Sequence, residues 1–298
     1  MARDELFDDD FLRRLQRLGL LAKRISATSP APGQRRGPKM GDGLEFADHR
    51  AYAAGDDLRF LDWHYYARME KLLLRLFHEH AEGAVTLLLD CSASMALGAG
   101  AAKFDYARRM AAALAYVAMS SLDRVNIVGF AEQLGDTYKT GRNRGQILAV
   151  LDYLAGLATG GRTDLAASAE RFAAGGGDLG AILILSDLID VGEGLSDALT
   201  VLRGSGSDVV CLHVVDDADA SPPPLGASEL SAVESGRRLS VNVTAEVLAS
   251  FRERFVEFAR GLERTCLSRG ATYVRAPTSA PFERLVLETL RRAGMLAT

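Results

Sequence analysis

The sequence is poor in the features that usually announce a function. Cysteine occurs three times in 298 residues, at Cys91, Cys211 and Cys266. Three thiols far apart, each in or beside an apolar run, exclude a disulfide framework and a Cys-x-x-Cys metal cluster. They read as buried free thiols in a reducing, cytoplasmic setting. Charge of one sign is missing too: 35 Lys and Arg against 39 Asp and Glu leave −4. No global basic balance therefore points to nucleic acid or to an anionic membrane surface. No uncharged apolar run reaches the roughly 18 residues of a membrane helix. The first ten residues, Met-Ala-Arg-Asp-Glu-Leu-Phe-Asp-Asp-Asp, are too acidic for a signal peptide. A Gly-x-Ser-x-Gly nucleophile elbow is absent, and His78-Glu-His80 lacks the spacing of a zinc protease. Gly98-Ala-Gly-Ala-Ala-Lys103 lacks the Gly-Lys-Ser/Thr ending of a phosphate loop.

What is present is an alternation. Val85-Thr-Leu-Leu-Leu-Asp90 and Ala181-Ile-Leu-Ile-Leu-Ser-Asp187 are short apolar runs, the pattern of strands buried on both faces of a parallel sheet. Arg124–Phe130, Asp136–Thr140, Asp208–Val215 and Ala271–Arg275 read as further strands. Lys71–Phe77 reads as a strand at an edge or in a hairpin, and Glu229–Val243 as a hairpin turning at Ser235-Gly236. Helical periodicity covers Asp8–Ile25, Lys103–Leu122, Arg144–Leu157, Asp164–Ala174, Thr244–Leu267 and Pro281–Arg292. Ser26–Gly43, rich in proline and glycine and carrying Arg35, Arg36 and Lys39, reads as a linker with solvated charge.

Strands alternating with helices predict an α/β domain over residues 84–298. Its sheet is doubly wound and mostly parallel, with a hairpin insertion near 228–243. Residues 1–83 read as an N-terminal extension: helix, loop, then a segment rich in Asp, Arg and Trp. That segment, Leu44–His80, is too short to build a core alone and is expected to pack on the main domain.

In such sheets ligands sit beyond the carboxyl ends of the strands. Asp90 ends one buried run and is followed by Ser92 and Ser94, whose hydroxyls can face the same point. Asp187 ends a second run. Between them, Gly160-Gly-Arg-Thr163 puts a hydroxyl at a loop-to-helix junction. Carboxylates and hydroxyls are hard oxygen donors, the set suited to Mg²⁺. Each piece also has a plainer reading: a polar turn after a core strand, an N-cap at Thr163, a turn at Asp187. Convergence on one sheet edge is what separates a site from three turns. A second concentration of charge surrounds the single tryptophan, Trp63: Asp56, Asp57 and Asp62 interleave with Arg50, Arg59 and Arg68. Arginines would repel a cation, so this reads as a structural ion-pair network.

The strand-end constellation resembles the von Willebrand factor A fold with its metal-ion-dependent adhesion site. Asp90, Ser92 and Ser94 match the Asp-x-Ser-x-Ser element, Thr163 the threonine and Asp187 the second aspartate. Leu188 departs from the pattern, because many members have glycine there. The run Glu45-Phe-Ala-Asp-His-Arg-Ala-Tyr-Ala-Ala-Gly-Asp-Asp-Leu-Arg-Phe-Leu-Asp62-Trp63 is similar to the signature of bacterial domain-of-unknown-function 58 proteins. Members carry it just before a von Willebrand factor A domain and are typically encoded with MoxR-type AAA+ ATPases. The resemblance implies Mg²⁺ at those five residues, with Mn²⁺ or Ca²⁺ as alternatives. It further implies a non-catalytic adaptor role beside such an ATPase or its client.

Ligand count supports binding over catalysis. Two carboxylates and three neutral hydroxyls leave Mg²⁺ electrophilic, with a coordination position for a partner's Asp or Glu. A metal-dependent hydrolase or phosphotransferase is the competing reading. An aspartyl phosphotransferase would carry a second carboxylate two residues after Asp90, where Ser92 stands. A scaffold whose site holds no ion is the third.

Overall fold

The computed structural model describes residues 3–293 apart from 29–37, 40–44, 54–55, 79–83, 98–101, 122, 142–143, 177–179, 190, 193, 217–218, 220–224 and 232–237. The loop bearing Arg35 and Arg36, His80, and the turn at Ser235-Gly236 therefore lie outside the described residues. Two compact units emerge, one of residues 1–32 with 84–298 and one of residues 33–83. The stretch 1–83, read from the sequence as one extension, thus divides near residue 32.

The first unit begins with α1 (Arg3–Leu6) and α2 (Asp9–Thr28). Asp8 accepts the Phe11 amide at 2.7 Å and satisfies one donor at the start of α2. Phe11, Leu15, Leu18 and Ala22 recur every three or four residues and are all buried. They join the same apolar cluster as the sheet and the C-terminal helix, so this face is core and not an appendage.

Residues 33–83 form their own small sheet. β1 (Pro38–Lys39) and β2 (Glu45–Ala51) flank β3 (Leu73–His78), both antiparallel to it. β3, read from the sequence as an edge or hairpin strand, is the central strand, and its antiparallel partner β2 had no counterpart in that reading. Between β2 and β3 lies α3 (Trp63–Met69), which has too few residues to leave a readable periodicity. Asp62 caps it by accepting the Tyr65 amide at 2.9 Å. Leu61 and Leu74 are buried and bridge one another, whereas Trp63 is 60% exposed.

The large sheet follows. Its strands are β4 (Ala84–Asp90), β5 (Arg124–Phe130), β6 (Leu134–Lys139), β7 (Gly180–Ser186), β8 (Asp208–Val215) and, after the β9 (Gly226–Ser231) and β10 (Arg238–Val243) hairpin, β11 (Thr272–Pro277). The order is β11-β8-β7-β4-β5-β6, parallel throughout except for the antiparallel edge strand β6. The strand order reverses around β4, the mark of a doubly wound sheet. β7 crosses so close to β4 that a Cβ at Gly180 would sit 1.9 Å from the Ala84 carbonyl oxygen; only glycine fits.

Helices cover both faces, as the continuous apolar runs require. Val85, Leu87 and Leu89 of β4 point into one cluster with α2, α4 (Ala102–Ser120), α5 (Ile147–Gly156) and α9 (Phe282–Arg292). Leu88 points into the other, with α6 (Leu165–Ala174), α7 (Gly194–Gly204) and α8 (Ala245–Ser268). α4 is buried almost all round, Ala107 to Met119, because α2 lies over its outer side. α7 has no counterpart in the sequence reading, yet parallel β7 and β8 need a crossover and α7 supplies it. No helix among the described residues is long and apolar enough to cross a membrane.

Candidate metal centre

β4 ends at Asp90 beside the end of β7, with Leu89 opposite Leu185. One Asp90 oxygen, Oδ1, accepts the Ser92 amide at 2.8 Å, which folds the chain back on the carboxylate. The other, Oδ2, accepts the Ser186 hydroxyl at 2.5 Å. Ser92 Oγ and Ser94 Oγ lie 3.0 Å apart, and Ser94 Oγ donates to Asp187 Oδ1 at 3.3 Å. Four of the five expected residues are thus linked in one hydrogen-bonded cluster. The fifth, Thr163, is half-buried in a loop stitched to the same turn: the Gly160 amide donates to the Cys91 carbonyl at 2.8 Å, and the Ala93 amide to the Gly161 carbonyl at 3.0 Å. Gly161 sits at φ +74°, a conformation that favours glycine. Leu188, where the resemblance led to glycine, is also left-handed at φ +52°. It is held there by burial and by its amide donating to Ser186 Oγ at 2.9 Å.

Three participants escaped the sequence reading. Ser186 sits inside an apolar run that ends at Asp187 and has no signal of its own. Asp219 lies four residues past the end of β8, whereas Asp90 closes β4 and Asp187 directly follows β7, so the strand-end rule points to Asp216 rather than to it. Lys103 was weighed only as part of a failed phosphate loop. Its ammonium lies 2.7 Å from Asp187 Oδ2 and 3.1 Å from Asp219 Oδ1, and the residue is 0% exposed. It stands in the first turn of α4, where the helix dipole disfavours a cation. The two acids are what hold it there. Burial alone would lower the Lys103 ammonium, but Asp187 and Asp219 together outweigh it and keep the group above the usual lysine range.

The cluster is closed to solvent: Asp90, Ser92, Ser94 and Asp187 are each at most 3% exposed. Burial pushes the Asp90 carboxyl up to about 6, with repulsion from Asp187 adding to it and the Ser186 and Ser92 hydrogen bonds opposing it. Burial likewise pushes the Cys91 thiol to about 12, so this thiol beside the site is no nucleophile. Among the described residues no group of three or more His, Cys, Asp or Glu side chains could hold a metal ion. A cation here therefore depends on the hydroxyls. As a set of hard oxygens the donors fit Mg²⁺.

The second acidic segment behaves as the sequence suggested, with one exchange of partner. Arg50 pairs with Asp56 at 2.7 Å and Arg59 with Asp57 at 2.7 Å, while Asp62 takes His49 at 2.9 Å in place of an arginine. All three cysteines are free and buried.

Comparison with known proteins adds the following. A sequence comparison with curated proteins found no match. Among solved structures, a conserved hypothetical protein BatB from Bacteroides thetaiotaomicron is 16% identical, with a TM-score of 0.46, over 71% of this chain and 98% of its own. An aerotolerance-related membrane protein from Bacteroides fragilis is also 16% identical, with a TM-score of 0.43, over 71% of this chain and 98% of its own. A von Willebrand factor type A protein from Catenulispora acidiphila is 12% identical, with a TM-score of 0.42, over 74% of this chain and 43% of its own. The family model described as "Protein of unknown function DUF58" matches residues 48–264, well over half of the sequence and spanning both the Asp/Arg segment and the strand-end cluster, and the chain belongs to that family.

Proposed function

We propose that the protein is a non-catalytic binding module that takes Mg²⁺ at Asp90, Ser92, Ser94, Thr163 and Asp187 and, through it, a carboxylate of a protein partner. The observation that carries this reading is the convergence of Asp90, Ser92, Ser94 and Asp187 in one cluster at the carboxyl edge of the sheet. When bound, the ion supplies an electrophilic position for an acidic side chain. The chain's own residues do the rest. The Ser92 amide and Ser186 hydroxyl orient Asp90, and the Gly160-Gly161 turn brings Thr163 to the same edge. Because Asp90, Ser92, Ser94 and Asp187 are at most 3% exposed and only Thr163 is half-buried, ion and partner enter as the surrounding loops open. The resemblance to proteins encoded with MoxR-type AAA+ ATPases makes such an ATPase, or its client, the partner to test. Free buried thiols suit a cytoplasmic setting.

The test is a binding titration with that ATPase, using wild type in Mg²⁺, wild type in EDTA, and Asp90→Ala in Mg²⁺. Binding is expected only in the first. Equal binding in all three removes the metal from the interface. The competing hydrolase reading is tested by turnover of phosphate esters and peptides, for which none is expected.

A further inference from the structure

The site already contains a cation of its own. Lys103 reaches into it from α4, fully buried, with its ammonium 2.7 Å from Asp187 Oδ2 and 3.1 Å from Asp219 Oδ1. The remaining Asp187 oxygen accepts Ser94 Oγ at 3.3 Å and the Ile189 amide at 3.1 Å. Both Asp90 oxygens are also engaged, by the Ser92 amide and the Ser186 hydroxyl. Every carboxylate oxygen of the expected ligand pair thus has a protein partner, and one of those partners carries a full positive charge. Asp219 is held in turn, its Oδ2 accepting the Asp216 amide at 2.9 Å. The helix dipole opposes a lysine in the first turn, and among the described residues these two acids are what stabilise its ammonium.

We propose that Lys103, positioned by Asp219, is a resident counter-ion that competes with a divalent cation for Asp187 and so sets the metal affinity of the site. This rests on the reading above that Asp187 is a metal ligand. Two charge effects follow. A divalent ion reaching Asp187 meets the ammonium at close range in a water-excluded space, where like charges repel strongly. It must also share or displace the charge-assisted hydrogen bond that Lys103 makes to Asp187. Conversely, with the site free of metal the ammonium keeps Asp187 and Asp219 from repelling one another, so this part of the cluster holds its shape unloaded. Binding of the ion is then weak until a partner's carboxylate adds negative charge to the same place. Lys103 is a positioning residue here, since it touches a metal ligand and not the ion.

The sign of the effect separates this role from a merely structural one. Losing a structural lysine weakens metal binding; losing a competing cation strengthens it. The experiment is a titration of the full chain with Mn²⁺, followed by calorimetry and by the loss of the free-ion electron paramagnetic resonance signal, for wild type, Lys103→Met and Lys103→Met/Asp219→Asn. The double variant removes the ammonium together with one of its acids and guards against misfolding of the single variant; circular dichroism checks both. Mn²⁺ is expected to bind the single variant at least tenfold more tightly than wild type, and to raise its melting temperature more. In the double variant the affinity falls back toward wild type, because one negative charge has gone with the positive one. Equal or weaker Mn²⁺ binding by folded Lys103→Met overturns the proposal and leaves the metal site standing. No Mn²⁺ binding by any of the three overturns the proposal and the metal reading together.

Discussion

Two sets of three aspartates, one in each unit, live under different physics. In residues 33–83, Asp56, Asp57 and Asp62 pair with Arg50, Arg59 and His49; the two guanidinium arms reach water, the Arg59 side chain being 82% exposed, while His49 is half-buried. Hydrogen bonds dominate there. The Ala53 amide and Arg50 hold Asp56 below the usual carboxylate range, Arg59 does so for Asp57, and His49 with the Tyr65 amide does so for Asp62. In the α/β unit, Asp187 and Asp219 share one buried lysine and Asp90 is bonded to the Ser92 amide and the Ser186 hydroxyl; burial dominates there, and Asp90 moves up, not down. The same residue types are thus screened and interchangeable in one place and interdependent in the other. Only the second set has the low dielectric and convergent geometry from which affinity for an ion can be built.

The strongest way to break this comparison is Asp187→Ala. It strands the Lys103 ammonium with one acid and leaves Ser94 and the Ile189 amide without their acceptor. A loss of about 3–5 kcal/mol is expected in urea unfolding with EDTA present. A loss under 1 kcal/mol would mean that the buried pair is not load-sharing as described.

Asp90 sharpens the contrast through pH. Its folded-state value of about 6 lies above the ordinary value of 3.8, so the native state holds the proton more tightly. The resulting stabilisation is complete below pH 4 and is lost as pH rises through 6; on linkage it is on the order of 3 kcal/mol. Unfolding of wild type and Asp90→Asn, both in EDTA, should therefore diverge: relative to the variant, wild type loses stability between pH 4 and pH 6.5. A pH-independent difference would place Asp90 in a wetter setting than its burial indicates.

Leu188→Gly probes the backbone between the acids. Glycine relieves the left-handed strain at φ +52°, on the order of 1–2 kcal/mol, but empties a buried leucine site, which costs more. A net loss of about 1–3 kcal/mol is expected by the same unfolding measurement. A more stable variant would show that strain outweighs packing there. The smallest effect belongs to the exposed set. Asp57→Ala should lower the melting temperature by only about 1–2 °C, because the ion pair it breaks is screened by water and the one amide bond lost with it, from Arg59, caps a single short turn. A larger drop would show that this pair is not the screened surface contact its exposure indicates.

The sequence alone determined the strands of the large sheet and the loop chemistry; β1 and β2 lie in stretches it read as a linker and an ion-pair segment. A continuous apolar run such as Val85–Leu89 must be covered on both sides, and both clusters receive its residues. Asp90, Ser92 and Ser94 are close in the chain, so local geometry brings them together. Gly160-Gly161 similarly announced a tight turn near Thr163. Other features depend on distant partners and left no local trace. The cover that α2 gives α4 is one. The split of residues 1–83 between two units is another. The crossover helix α7 lay between two strands that were both recognised, but its own pattern was passed over. The pairing of Lys103 with Asp187 spans 84 positions, and with Asp219 it spans 116. Periodicity records which way a side chain faces relative to its neighbours in sequence. Only the tertiary structure decides which charges share a dry space, because that follows from strand order, and strand order is set by how the whole set of apolar faces packs.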